Sequence, residues 1–246
     1  MAEFERPSVA ARPGTAAVVD QGLRSYMLKV YNYMGIGLVV TGLVAWFTYM
    51  AATSDGQTLT SFGEAIYLSP LRWVVILAPL AFVFALSFGV QRMKPATAQI
   101  LFWVFAAVMG LSLSSIFLVY TGASIAKVFF ISAAMFGGMS LYGYTTKTDL
   151  TRFGSFLIMG VWGLFVAMIV NVFWPSGALS FAVSVVGVLI FLGLAAWNTQ
   201  QVKESYDASY GSDVLTKSAV MGALSLYLDF INIFLFLLRI FGNQRS

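Results

Sequence analysis

Seven apolar runs, each close to 20 residues long, divide this chain: about 30–52, 73–91, 98–120, 127–145, 154–174, 179–200 and 219–238. A helical run of that length matches the roughly 30 Å hydrocarbon thickness of a bilayer at about 1.5 Å per residue. The runs are apolar on all sides and lack the alternation of a transmembrane β-strand. Each is therefore expected to be a helix, which satisfies its own backbone in lipid. Of the 246 residues, 59% are hydrophobic and only 10% are charged; a soluble domain carries about 25% charged residues. This excludes an ordinary soluble enzyme, a disordered chain and a coiled coil. Seven spans leave no room for a second folded domain. The expected fold class is an all-α membrane protein: a seven-transmembrane helix bundle at 30–246 behind a polar tail at 1–29.

The connecting segments hold nearly all the charges, and they set an orientation. The tail and the even-numbered loops carry ten Lys and Arg residues, among them Arg24, Lys29, Arg92, Lys94, Lys147 and Lys203. The other side carries four: Arg72, Lys127, Arg239 and Arg245. The positive-inside rule then predicts a cytoplasmic N-terminus and an external C-terminus. A re-entrant run would return the C-terminus inside. Pro175 is expected to stop the fifth helix and Pro79 to kink the second. Trp73, Trp174 and Trp197 stand at span ends, as in an interfacial aromatic belt. The small-residue pairs Ala133/Gly137, Ala134/Gly138 and Ser218/Gly222 predict close helix approach.

Cysteine and histidine are both absent. Disulfides, thiol catalysis and the commonest zinc ligands are thereby excluded. No phosphate-binding loop, metalloprotease helix or hydrolase elbow is present, so no enzyme, cofactor or nucleic-acid partner is expected. The segment Asp207–Asp213 fails as a calcium loop: its glycine comes one position early, and Ser218 stands where a bidentate Glu is required.

One acid lies deep in a span. Asp229 sits about ten residues from either end of the seventh run. Ser218, Gly222, Ser225, Asp229 and Asn232 are spaced four, three, four and three apart, which places them on one helical stripe. An Asp at the bilayer centre costs roughly 2.5–3.5 kcal/mol on insertion scales, so it faces protein or water. Two readings stand: a protonated Asp229 acting as hydrogen-bond glue, or an acid on an ion or proton pathway. A polar cluster, Asn198-Thr-Gln-Gln201, closes the sixth run and reads from spacing as an interfacial helix end.

The run Gly222-Ala-Leu-Ser-Leu-Tyr-Leu-Asp-Phe-Ile-Asn-Ile-Phe-Leu-Phe-Leu-Leu-Arg-Ile-Phe-Gly242 closely resembles the last helix of the transmembrane Bax inhibitor motif family, in its bacterial branch. Leu28-Lys-Val-Tyr31 is similar to the start of that family's first helix, and Asn198-Thr-Gln-Gln-Val-Lys-Glu204 to its Asp-Thr-Gln segment. The resemblance implies a bundle with the last helix central and the other six around it. It also implies a calcium-permeable leak regulated by pH, gated by two aspartates that share protons, with a basic latch after helix two. Eukaryotic members are associated with suppression of cell death, and one bacterial branch with a membrane-bound AAA protease.

Carried over, the helix-seven acid is Asp229, while its partner position holds Asn198 instead of a second Asp. Two close carboxylates titrate as a coupled pair; an Asn–Asp pair changes charge as a single site. Gln91 is neutral, so Arg92 is the candidate latch. The expectation is a cation leak channel in a bacterial inner membrane, with calcium as permeant ion. Asp229 is its pore or gate acid and weak, transient calcium ligand, Asn198 its partner, and Ser225 and Asn232 line the path. The other reading is a non-conducting regulator that binds another membrane protein such as that protease.

Overall fold

The computed structural model describes residues 13–54 and 58–245, with side chains from residue 21 onward. Residues 1–12 of the expected tail, with Glu3, Glu5, Arg6 and Arg12, lie outside the described residues. Nine helices are present among the described residues: α1 Pro13–Ala52, α2 Ser61–Tyr67, α3 Leu71–Gly89, α4 Pro95–Leu113, α5 Ile116–Val119, α6 Gly122–Thr145, α7 Thr151–Phe173, α8 Gly177–Glu204 and α9 Ser212–Phe241. Seven segments are long and apolar enough to cross a membrane, namely α1, α3, α4 with α5, α6, α7, α8 and α9. Each matches one of the seven expected runs, with the third and fifth runs ending one residue beyond their segments.

Local chemistry sets the helix starts. The Thr121 hydroxyl accepts from the Ser124 amide (3.3 Å) at the head of α6, and the Ser176 hydroxyl from the Leu179 amide (3.3 Å) at the head of α8. Pro95 occupies the first turn of α4, where its missing N–H costs nothing. Pro79 lies inside α3, which runs on through it to Gly89.

Hydropathy alone misplaces several boundaries. α1 runs unbroken through residue 29, so the polar segment 13–29 is helix continuous with the first span. α9 begins at Ser212, seven residues before the apolar run. In both cases a polar first stretch is stabilised as helix by neighbours outside the hydrocarbon. Lys29 Nζ donates to Thr216 Oγ1 (2.8 Å), and the Tyr26 hydroxyl is hydrogen-bonded to Ser205 Oγ (3.0 Å). The third run is broken at Ser114–Ser115 into α4 and α5. Between α1 and α3 the chain forms a short antiparallel hairpin, Thr53–Ser54 with Thr58–Leu59, followed by α2.

α9 is the hub. It packs against α1, α4, α6 and α8, and half of its 30 residues are buried. The implied ring of six is modified: α3 packs chiefly on α4, and α7 on α8, as an outer layer. At one end Lys29, just before the apolar part of α1, meets Thr216 in the first turns of α9. At the opposite end the chain after α9 pairs with the α5–α6 junction. Thr121 N donates to the Asn243 carbonyl (3.1 Å) and Arg245 N to the Val119 carbonyl (2.9 Å). Arg245 Nη1 also donates to the Tyr49 hydroxyl near the end of α1 (2.6 Å). The seventh run is thus a full crossing of the bundle and not re-entrant.

Two packing expectations are corrected. Gly137 and Gly138 are exposed, and a Cβ on either would meet nothing within 4 Å. The glycine of α6 that makes the close approach is Gly143, where a Cβ would overlap the Ala196 carbonyl of α8. Trp197 does not join an aromatic belt: its indole lies over Gly154 of α7, inside the bundle. Trp73 and Trp174 are exposed at span ends as expected.

A buried acid–amide pair between α8 and α9

Gly222 lets α9 approach α8 and α1. A Cβ there would lie 2.8 Å from Val202 Cγ2 and 3.5 Å from Val30 Cγ1. Seven residues further on, about two turns, the same stripe meets Asn198. Asn198 Nδ2 donates to Asp229 Oδ2 at 2.7 Å. Asp229 is only 3% exposed, and Asn198 is half-buried. Along α9 the neighbouring residues Tyr227, Phe230 and Ile233 are buried as well. Burying a carboxyl without a partner would cost several kcal/mol in hydrocarbon, and the amide supplies that partner. The pair joins the last two helices, so a change in the acid's charge alters the bond that holds α8 on α9.

The other candidates are arranged differently. Ser225 and Asn232 are half-buried, and each donates to its own helix: Ser225 Oγ to the Met221 carbonyl (3.2 Å) and Asn232 Nδ2 to the Leu228 carbonyl (2.8 Å). Arg92 ends the 3-10 turn Val90–Arg92, is exposed, and makes no ion pair with Asp229. The helix before this turn, α3, packs chiefly on α4, at the edge of the bundle. The cation that reaches this turn is Lys217 of α9, whose Nζ donates to the Gln91 carbonyl at 3.3 Å.

The polar end of α8 is more than an interfacial terminus. Gln200 is buried and caps the approach to α7: its Oε1 accepts from Leu150 N (2.8 Å), and its Nε2 donates to the Thr148 carbonyl (2.9 Å). Thr199 is hydrogen-bonded to Ser140 of α6 (2.8 Å), and Ser140 in turn to the Tyr31 hydroxyl of α1 (2.6 Å). A second inter-helix tie runs from Tyr227 to Thr41 (2.6 Å) and on to the Ala106 carbonyl (2.8 Å). Sequence reasoning missed both chains, since isolated hydroxyls inside uniformly apolar runs carry no periodic signal.

One polar side chain, Asn198, is bonded to the acid, against the six to eight oxygens a resident calcium takes. Among the described residues no group of three or more His, Cys, Asp or Glu is placed to hold a metal ion. In the exposed loop before α9, Asp207 Oδ1 accepts from Ser209 N (2.8 Å) and Ser209 Oγ (2.7 Å). These bonds hold the Asp207 carboxyl below the usual carboxylate range, led by the backbone N–H.

Seven long apolar helices around a central last helix, with a buried acid bonded to an amide of its neighbour, define a polytopic all-α membrane protein with an intramembrane acid. The sequence pattern of the family described as "Inhibitor of apoptosis-promoting Bax1" matches residues 23–246, and the chain belongs to that family. It is 47% identical over 227 residues to the inner membrane protein YbhL of Escherichia coli strain K12, covering 91% of this chain and 94% of that one. It is 48% identical to the uncharacterized protein RP147 of Rickettsia prowazekii, over 92% of this chain and 93% of that one. An uncharacterized protein of Caulobacter vibrioides is 47% identical across the full length of both.

Proposed function

We propose that this protein is a slow cation leak of the inner membrane, permeable to calcium, in which Asp229 is the acid on the path. The single observation that carries the reading is the 2.7 Å bond from Asn198 to a carboxyl buried at the centre of the bundle. Intramembrane acids are expensive and mark ion or proton pathways by default. The conformation described is a closed one in this reading. The acid is covered by packed α1, α4, α6 and α8, and the cavities at the α1–α6 and α7–α8 seams are lined without it. Opening separates α8 from α9 at this bond. The test is calcium flux through the purified protein in liposomes, with and without Asp229. Flux no greater than in protein-free liposomes would reject the reading.

pH gating belongs to the same proposal in reduced form. With an amide at 198 the site changes charge once. The Asn198→Asp variant places two carboxylates in contact, and these share a proton and titrate in separate macroscopic steps. The variant is therefore expected to show a steeper dependence of flux between about pH 6 and 8, by roughly tenfold, since one pKa unit corresponds to about 1.4 kcal/mol. Identical pH profiles would remove these side chains from the gate.

The inner-membrane placement is supported by the similarity to the inner membrane protein YbhL, and the cytoplasmic N-terminus by the ten-to-four distribution of basic residues. A reporter fused after Ser246 is expected to read as periplasmic, and one in the 91–98 loop as cytoplasmic. The reverse pattern would invert the orientation.

The second reading is a non-conducting regulator that binds another membrane protein, such as a membrane-bound AAA protease. Asn198 favours it, because an amide withholds the second charge from a cation path.

A further inference from the structure

α1 and α6 run antiparallel without close backbone packing, and a seam opens between them along the lipid-facing surface. Toward the start of α1 the seam widens into a cavity of about 450 Å³. Its walls include Leu28 and Leu141, both more than half exposed, and the bare backbone at Gly137. At its floor the Tyr31 hydroxyl is hydrogen-bonded to Ser140, the tie that joins the two helices. Toward the other end the seam continues as a narrower cavity of about 100 Å³, floored by Phe230, Ile231 and Phe234 of α9.

One cationic group lines the wide part, Arg24, and no Asp or Glu among the described residues does. Arg24 is exposed, and among the described residues its side chain has no hydrogen-bond or ion-pair partner. It stands six residues before Val30, where the first apolar run begins, which is about 9 Å along the helix axis and so at headgroup depth. An apolar slot of this size, open to the bilayer and ending in a guanidinium with no partner among the described residues, is complementary to one class of molecule. It accepts an acyl chain along its walls and an anionic phosphate at its mouth. Basic pockets between transmembrane helices recognise lipid headgroups by this means, and a guanidinium grips phosphate through two parallel N–H bonds.

We infer that the α1–α6 seam is a binding site for an anionic phospholipid, with its phosphate on Arg24 and one acyl chain laid over Gly137 toward Tyr31. The inference is independent of whether the protein conducts ions. The bound chain fills the gap that α1 and α6 leave, and so completes the wall in front of the Tyr31–Ser140 tie.

The experiment is native mass spectrometry of the full chain in a neutral detergent, titrated with phosphatidylglycerol or with phosphatidylcholine. Wild type is expected to retain phosphatidylglycerol about fivefold more tightly, the effect of one basic residue acting on one anionic lipid. Arg24→Gln should erase that preference, lowering phosphatidylglycerol retention about fivefold more than retention of phosphatidylcholine, whose phosphate charge is already offset by its own choline cation. Gly137→Leu should lower retention of both lipids, because it fills the slot. Gly138→Leu, on the neighbouring residue outside the cavity, should retain both as wild type does. Neither glycine has a neighbour within 4 Å of a built Cβ, so these variants are compatible with the fold. A preference that survives Arg24→Gln would overturn the headgroup assignment. Wild-type retention in Gly137→Leu would overturn the chain assignment. If wild type shows no preference between the two lipids yet binds inorganic phosphate in a way that Arg24→Gln abolishes, Arg24 is a free-anion site and the lipid inference fails.

Discussion

Liposomes carrying the Asp229→Asn protein are expected to pass calcium at least tenfold more slowly than liposomes carrying the wild type, with the bundle still folded. The substitution isolates charge from packing. An Asn at 229 keeps the volume and presents an amide oxygen to Asn198 Nδ2, so the α8–α9 bond at 2.7 Å has a replacement acceptor. What is lost is the one acid in the core of the seventh helix. At an effective dielectric of about 20, a unit charge attracts another by about 4 kcal/mol at about 4 Å, and a divalent ion by more. A tenfold loss needs only about 1.4 kcal/mol of that. Asp229→Leu is the contrasting variant. It leaves the Asn198 amide unpaired and costs about 1–3 kcal/mol of stability besides the flux. Flux measured with a calcium indicator inside the liposomes, alongside a thermal unfolding curve, separates the two effects. Equal flux in wild type and Asp229→Asn would remove Asp229 from the path.

Gly143→Val is expected to be the most damaging single change in α6, with a loss of about 3 kcal/mol or more and little folded protein recovered. A Cβ at this position would overlap the carbonyl of Ala196, which is backbone and has no rotamer to give way. The interface cannot slide, because it is pinned on both sides of the glycine. Ser140 is hydrogen-bonded to Thr199 (2.8 Å), and Lys203 Nζ donates to the Tyr144 carbonyl (2.8 Å). The Lys203 ammonium also lies over the Tyr144 ring, 5.2 Å from its centroid. Gly138→Val serves as the control, since its side chain would point into open space. Its cost should stay below about 1 kcal/mol, the range of helix propensity differences. Melting temperatures of the two variants in the same detergent decide the matter. A Gly143→Val protein that melts with Gly138→Val would show that α6 and α8 do not meet as described.

Helix number and class were legible in the residues because lipid imposes them. A backbone in hydrocarbon must bond to itself, so each long apolar run declares a helix, and all seven were found. Asp229 was legible for a related reason: a single acid in an apolar stripe has to turn inward, whatever the rest of the fold is. The partner was not. Read by spacing, 198–201 looked like the solvated end of a helix; only the crossing of α8 over α9 aims Asn198 at the acid while Thr199 and Gln200 face α6 and the approach to α7. Resemblance pointed to position 198, and the tertiary structure supplied the bond.

Which glycines pack was likewise undecided by the residues alone. In a soluble helix the buried face differs in polarity from the wet one, so periodicity reports it. In a bilayer both faces are apolar, and the contrast that periodicity needs is gone. Gly137, Gly138 and Gly143 are equivalent as sequence, yet two face outward and one lies against the backbone of α8. The same loss of contrast hid the Tyr31–Ser140–Thr199 chain and the outer placement of α3 and α7. The amino-acid sequence by itself determined that this chain forms seven apolar helices and that Asp229 lies inside them, because water and lipid each exclude the alternatives. Only the tertiary structure decided which helix faces meet and which amide holds the acid, because those choices turn on shape and hydrogen-bond geometry between surfaces that lipid solvates equally well.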